Sequence, residues 1–433
     1  FSGAGVVSIF GGIVSGRMMY ALYGEGVTFA GLMATAALAV VLGWRNGPFL
    51  AAIGLIGAAA APFLVAGTAQ ATPLLYGHYL LIAVVGLAVD AVRRWAWISV
   101  LALVLGYAGG WLMYQGAAGA AGWIVQLVLL ALAATALPVL RLIPDHAGPP
   151  VALAARTGHW PPFPVRLAAG AVLASSLALT LLVGPDGTTV MLAFAALTAL
   201  ALALLLWADR APGLDDLAAL PVLGLLAKLA LEGWGDGPLA AAFRAEAIAL
   251  RAPETSAPWT VIWLAVMATL VTLAAAWRAL SGERHRLGFG LAAVIIAPVA
   301  LLLLELFWQP APVLGPYGWA LHAMALAGLM VGFALRFARA DAEDRRRFAY
   351  ATIAALSLIA LSLFLLTTSA ALTLALAVLM AVTAAMDRRF DLPELGWFLQ
   401  LGVAVLGWRL TVDPGIGWAL AAPLPGVVLA FVG

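Results

Sequence analysis

Apolar runs about twenty residues long alternate with short polar gaps over the whole chain. They fall at 2–22, 27–43, 48–68, 73–92, 95–114, 119–140, 166–184, 188–207, 214–232, 259–280, 288–308, 315–338, 348–366, 369–386, 393–410 and 415–433. A helix needs about 20 residues to cross the hydrocarbon layer of a bilayer. The pattern therefore predicts sixteen candidate spans. Backbone polar groups find no water inside that layer, so runs this apolar must satisfy them internally as helices, and the alternation of barrel strands is nowhere visible. The expected fold is all-α, a polytopic transmembrane bundle forming a single domain over residues 1–433.

The gaps also alternate. One set holds Arg45, Arg93, Arg94, Arg141, Arg156, Arg166, Arg210, Arg278, Arg284, Arg286, Arg336, Arg339, Arg345, Arg346, Arg347, Arg388 and Arg389. The other set holds only Arg17, Arg244, Arg251 and Arg409, and the single lysine, Lys228, lies inside an apolar run. Arginine and lysine gather on the cytoplasmic side of inserted helices. A multi-pass protein of the bacterial cytoplasmic (inner) membrane is expected, with its arginine-rich loops in the cytoplasm. Glu25, the turn from Thr68 to Pro73, Gln115, Pro185-Asp186-Gly187, the segment from Gln309 to Pro316, Thr367-Thr368-Ser369 and Asp413 are then outside. Trp44, Trp95, Trp207, Trp259, Trp277 and Trp308 mark the same span ends, where an indole sits well in the interfacial layer.

Composition agrees: of 433 residues 65% are hydrophobic and 10% charged, with a mean hydropathy of +1.07. Dispersed arginines make topology signals rather than a nucleic-acid stripe. With no cysteine, disulfides, thiolate metal sites and cysteine nucleophiles are excluded. No phosphate-binding glycine loop, HExxH or serine elbow is present, so no cofactor or metal is expected. A start at Phe1 and an end inside an apolar run point to an internal segment of a longer chain.

Two connections stand out. Residues 141–166 form a proline-rich cytoplasmic loop, in which the stretch from Trp160 to Pro164 should not be regular helix. Residues 232–258 form an outer interfacial segment, where Leu239, Phe243, Ile248 and Leu250 interleave with Arg244, Glu246 and Arg251 as in a short helix lying along the surface. A faint echo links Tyr76-Gly77-His78 with Tyr317-Gly318 and His322.

The stretch from Gly54 to Val65, followed by Leu74, Tyr76, Gly77, Tyr79 and Arg93-Arg94-Trp95, resembles a bacterial family of predicted membrane proteins catalogued as domain of unknown function 2339. The opening from Gly3 to Tyr23, with Arg17 ahead of Leu22-Tyr23-Gly24, is similar to that family's preceding helix. The resemblance implies membrane localisation and a many-helix architecture, and it implies no activity or catalytic residue.

Chemistry must come from the ionisable groups inside the runs, since a charge at a span centre is unfavourable by about 2.5–3.5 kcal/mol on insertion scales. Asp90 is spaced to pair with Arg93 and Arg94, and Lys228 with Glu232. Glu305 has no basic neighbour within four residues, and His322 in the next run is placed to approach it across a helical hairpin. Arg17, His78 and Arg409 also lie near outer span ends. Together Glu305, His322, Arg17, His78, Lys228, Glu232 and Arg409 outline an outward-facing polar cavity. Three functions fit: a carrier for a small or amphipathic solute, a structural partner of envelope proteins, and a membrane-embedded transferase acting on envelope lipids or glycans. In the last, His322 or Glu305 would be the base and Arg17 or Arg409 the phosphate clamp. The carrier is the leading expectation. Membrane lipids and envelope proteins are the expected partners, and nucleic acid is not.

Overall fold

A computed structural model of the chain describes residues 2–65, 73–139, 143–282, 285–341, 344–367 and 369–412. The chain divides into two compact units, Phe1–Leu225 and Leu226–Gly433. No strand occurs among the described residues. The first unit holds α1 (Ser2–Met18), α2 (Glu25–Asn46), α3 (Pro48–Val65), α4 (Leu74–Arg93), α5 (Ala96–Gln115), α6 (Ala120–Ala136), the short α7 (Val151–Arg156), α8 (Phe163–Leu181) and α9 (Gly187–Leu202). The division falls within α10 (Ala219–Trp234). The second unit continues with α11 (Pro238–Ala245), α12 (Thr260–Ser281), α13 (Arg286–Trp308), the single turn α14 (Ala311–Leu314), α15 (Pro316–Ala340), α16 (Arg346–Leu366), α17 (Ser369–Phe390) and α18 (Leu395–Thr411).

Helix starts follow local chemistry. Proline opens α3, α11 and α15, where its missing N–H and fixed φ do no harm. Asp186 caps α9 by accepting the Thr189 N–H at 2.7 Å. Eleven described helices are long and apolar enough to cross a membrane by length and composition: α2 to α6, α8, α9, α12, α13, α15 and α16, with α6 continued to Val139 and α9 to Trp207. In each, a third to just over half of the most apolar stretch is buried inside the protein, which leaves the rest of its apolar surface to lipid. The sixteen expected spans are thus met by eleven. Helices α1, α10 and α18 have 17, 16 and 17 residues, or about 24–26 Å at 1.5 Å per residue, against a hydrocarbon layer of about 30 Å. The expected span at 415–433, Asp413, Thr68, Thr368, Arg141 and Arg284 lie outside the described residues.

Small residues let the helices approach. In the first unit Ala83, Leu87, Leu103, Leu130, Ala134, Leu167 and Ala171 join α4, α5, α6 and α8 in one core. A Cβ on Gly86 would overlap Ala102 across the α4–α5 contact, the close packing that small residues permit within a bilayer. Each unit contains two tightly paired hairpins, α2–α3 with α4–α5 and α12–α13 with α15–α16. Matching landmarks recur in them. Met33-Ala34-Thr35 and Trp44-Arg45 in α2 correspond to Met267-Ala268-Thr269 and Trp277-Arg278 in α12. Pro62 inside α3 likewise answers Pro298 inside α13.

The proline-rich connection, expected as a loop, holds a helix, and the outer segment holds a short helix as its pattern suggested. Between 143 and 162 the chain forms α7, whose first N–H groups donate to Asp216, Val151 at 3.2 Å and Ala152 at 2.5 Å. Buried His146 bonds the Thr135 carbonyl at 2.7 Å. The Trp160–Pro164 stretch is non-helical only to Pro162, because Pro164 falls in the first turn of α8, where no N–H is required. In the other segment α11 buries Leu239, Ala240 and Phe243, whereas Ile248 and Leu250 beyond it project outward.

Candidate functional site

His78 owes its position to a proline. Pro62 has no N–H, so the Ala58 carbonyl four residues earlier loses its helical donor. The Nε2 of His78, from α4, reaches that carbonyl at 3.0 Å. A carbonyl only accepts, so Nε2 carries the proton here. The Tyr79 hydroxyl donates to the adjacent Ala59 carbonyl at 3.1 Å, and Phe29 and Tyr79 flank the imidazole. His78 and Tyr79 therefore repair the break in α3. Arg17, in the last turn of α1, pairs with Glu25 at 3.0 Å and bridges the α1–α2 connection. Asp90 departs from expectation: it accepts from Ser99 of α5 at 2.6 Å, while Arg93 turns to the Trp44 carbonyl at 2.8 Å and lies over the Trp95 ring. The neighbouring helix offers a buried hydroxyl donor that a local arginine pair would leave unmet.

In the second unit Glu305 faces the indole of Trp319. Glu305 Oε2 and Trp319 Nε1 are both buried, and neither makes a hydrogen bond of regular geometry. His322 bonds the Gly318 carbonyl of its own helix at 2.8 Å and tilts against Trp319. Among the described residues no hydrogen bond joins Glu305 to His322; Trp319 comes to Glu305 instead.

Lys228 is buried, with the Glu232 charge acting on it from one turn along α10. Glu232 also accepts the Leu239 N–H at 2.9 Å and so caps α11. From α11, Arg244 donates to the Phe307 carbonyl at 2.8 Å and pairs with Asp236. Arg251 donates to the Val313 carbonyl at 3.3 Å. These two arginines cover carbonyls left open at the ends of α13 and α14. Arg409 donates to Thr373 at 3.3 Å between α18 and α17.

At the arginine-rich end, Arg347 is almost wholly buried. It binds Asp341 through two nitrogens, donates to the Ala279 carbonyl at 2.5 Å and lies over the Phe337 ring. One guanidinium thus joins α12, α15 and α16. Neither Arg347 nor Asp341 looks distinctive in an arginine-rich gap. Three cavities among the described residues are lined by other side chains than the seven polar candidates. One of about 370 Å³ lies between α4 and α6 around Tyr76, Gly122 and Gln126. A groove of about 350 Å³ separates α13 from α16, and a polar cavity of about 400 Å³ lies beside Arg346 and Glu394. No three histidine, aspartate or glutamate side chains gather among the described residues where they could hold a metal ion.

A many-helix protein whose polar groups brace apolar helices matches one family model, described as Predicted membrane protein (DUF2339), over residues 1–234 and again over 217–433. The chain belongs to this DUF2339 family. No curated protein and no solved structure matches it. The two family matches overlap on α10, the helix that contains the division between the compact units.

Proposed function

We propose that this DUF2339 chain is a multi-pass structural protein of the bacterial inner membrane, a partner for other envelope proteins, with its arginine-rich turns in the cytoplasm. One observation carries the reading: His78, Arg17, Glu232 and Arg409 each bond a neighbouring helix or connection. Within its own unit, each of them braces a helix or a connection. The 22-residue α17 is long enough to cross as well, and the shorter α1, α10 and α18 cross where the bilayer thins locally. Purification of the tagged full chain from gently solubilised membranes tests the proposal. Stoichiometric envelope proteins should come with it, and recovery of this chain alone would sink it.

A carrier is the second reading, favoured by the proline-broken hairpins that recur with the same landmarks in both units. Single cysteines at Glu305 and His322, in a chain that has none, separate the two. Labelling of both by a membrane-impermeant thiol reagent supports a water-filled path. Protection of both, with a cysteine at Ala311 reacting, supports the structural protein.

A further inference from the structure

Two cavities of the second unit lie one after the other along one face of α16. Residues spaced three or four apart share a helix face, so Arg346, Tyr350, Ile353 and Ser357 form one stripe. Arg346 lines the polar cavity, and the other three line the apolar groove. The polar cavity is bounded by the turn between α15 and α16 and by that between α17 and α18. Arg345 ties these turns together by donating to the Phe390 carbonyl at 2.7 Å. Asp391 and Glu394 bring carboxylates to the same cavity. Arg346 remains accessible, 60% exposed, with Asp344 at 3.8 Å. A turn between two membrane-crossing helices lies at headgroup depth, so the groove running down from it along Ile295, Pro298 and Ser357 lies in the hydrocarbon.

We infer that this face binds a zwitterionic aminophospholipid. Its phosphate accepts from Arg346, its ammonium donates to Glu394 and Asp391, and one acyl chain follows the α13–α16 groove from Tyr350 to Pro298. Guanidiniums and carboxylates share the cavity, so a purely anionic headgroup would face two carboxylates at close range. A choline headgroup matches the charge but has no N–H to donate. The inference is independent of the proposed structural role.

The test is lipid retention by the full chain, purified in detergent and read by native mass spectrometry, with dioleoyl phosphatidylethanolamine, phosphatidylcholine and phosphatidylglycerol in competition. Phosphatidylethanolamine should be retained about tenfold over either rival, and Arg346→Gln and Glu394→Gln should each weaken it about tenfold, as expected for one charge-assisted hydrogen bond. Soluble glycerophosphoethanolamine should bind far more weakly, because it cannot use the groove. Both variants change accessible side chains, and their lipid-free melting transitions report folding. Equal retention of phosphatidylcholine, preference for phosphatidylglycerol, wild-type retention by both variants, or equal binding of the soluble headgroup would each overturn the assignment.

Discussion

Pro62 and His78 form one energetic unit, and a double-mutant cycle reads it. Ala58 is only 5% exposed, so its carbonyl, deprived of a helical donor, depends on His78 at 3.0 Å, and the Tyr79 hydroxyl adds a bond to the Ala59 carbonyl at 3.1 Å. Interhelical hydrogen bonds in membranes are worth about 0.6 kcal/mol on average and about 1.7 at most. A buried carbonyl left unmet lies near the upper end of that range. His78→Phe keeps the ring packed against Phe29 and removes the donor, and it should destabilise by about 1 kcal/mol. In Pro62→Ala the restored N–H of residue 62 reaches the Ala58 carbonyl, and the same change should then cost only a few tenths. For a unit of this size 1 kcal/mol moves the melting temperature by about 2–4 °C, within reach of thermal unfolding of the purified full chain. Equal losses from His78→Phe in both backgrounds, additive within about 0.5 kcal/mol, would refute the repair of α3 by α4.

Arg347→Met leaves the largely enclosed Asp341 carboxylate and the buried Ala279 carbonyl without their donor and should destabilise the second unit by about 3 kcal/mol, seen as an earlier melting transition. Gly109→Val drives a side chain into the Tyr79 ring and should destabilise by about 1–3 kcal/mol; loss of the Tyr79 hydroxyl bond adds to this, so Tyr79→Phe should cost less in that background. Arg244→Gln frees the Phe307 carbonyl and loosens α11, and protease added to the accessible side should then cut within 232–258 faster than in the parent. Glu305→Leu removes a carboxyl oxygen that has no hydrogen bond and should leave the melting temperature unchanged or raise it. A drop of several degrees would mean that the contact of Glu305 with the Trp319 indole is a stabilising hydrogen bond.

Most of the helix map was legible because the bilayer imposes a one-dimensional rule: length of apolar run decides what is a span. The rule lost accuracy where helices were short, as at α1, α10 and α18. It also overextended the proline argument at 160–164, since the position of Pro164 within a turn matters more than its presence. One signal was in reach and unread: Met-Ala-Thr followed by Trp-Arg in α2 recurs in the same order in α12, with one residue less between them. Pairing inside the bundle was much less legible. Spacing along one helix pointed Asp90 to Arg93, and hairpin proximity pointed Glu305 to His322, but Ser99 and Trp319 stand there instead.

The sequence by itself determined that this is an all-helical membrane protein, where its long spans begin and end, and which family it resembles. Those properties follow from the transfer of apolar surface and peptide groups, which depends on composition along the chain alone. The tertiary structure decided what the polar residues do. A buried donor or acceptor bonds whatever unmet group a neighbouring helix presents within about 3 Å, and whether that group is a proline-freed carbonyl, a helix end or a serine depends on packing between residues far apart in sequence.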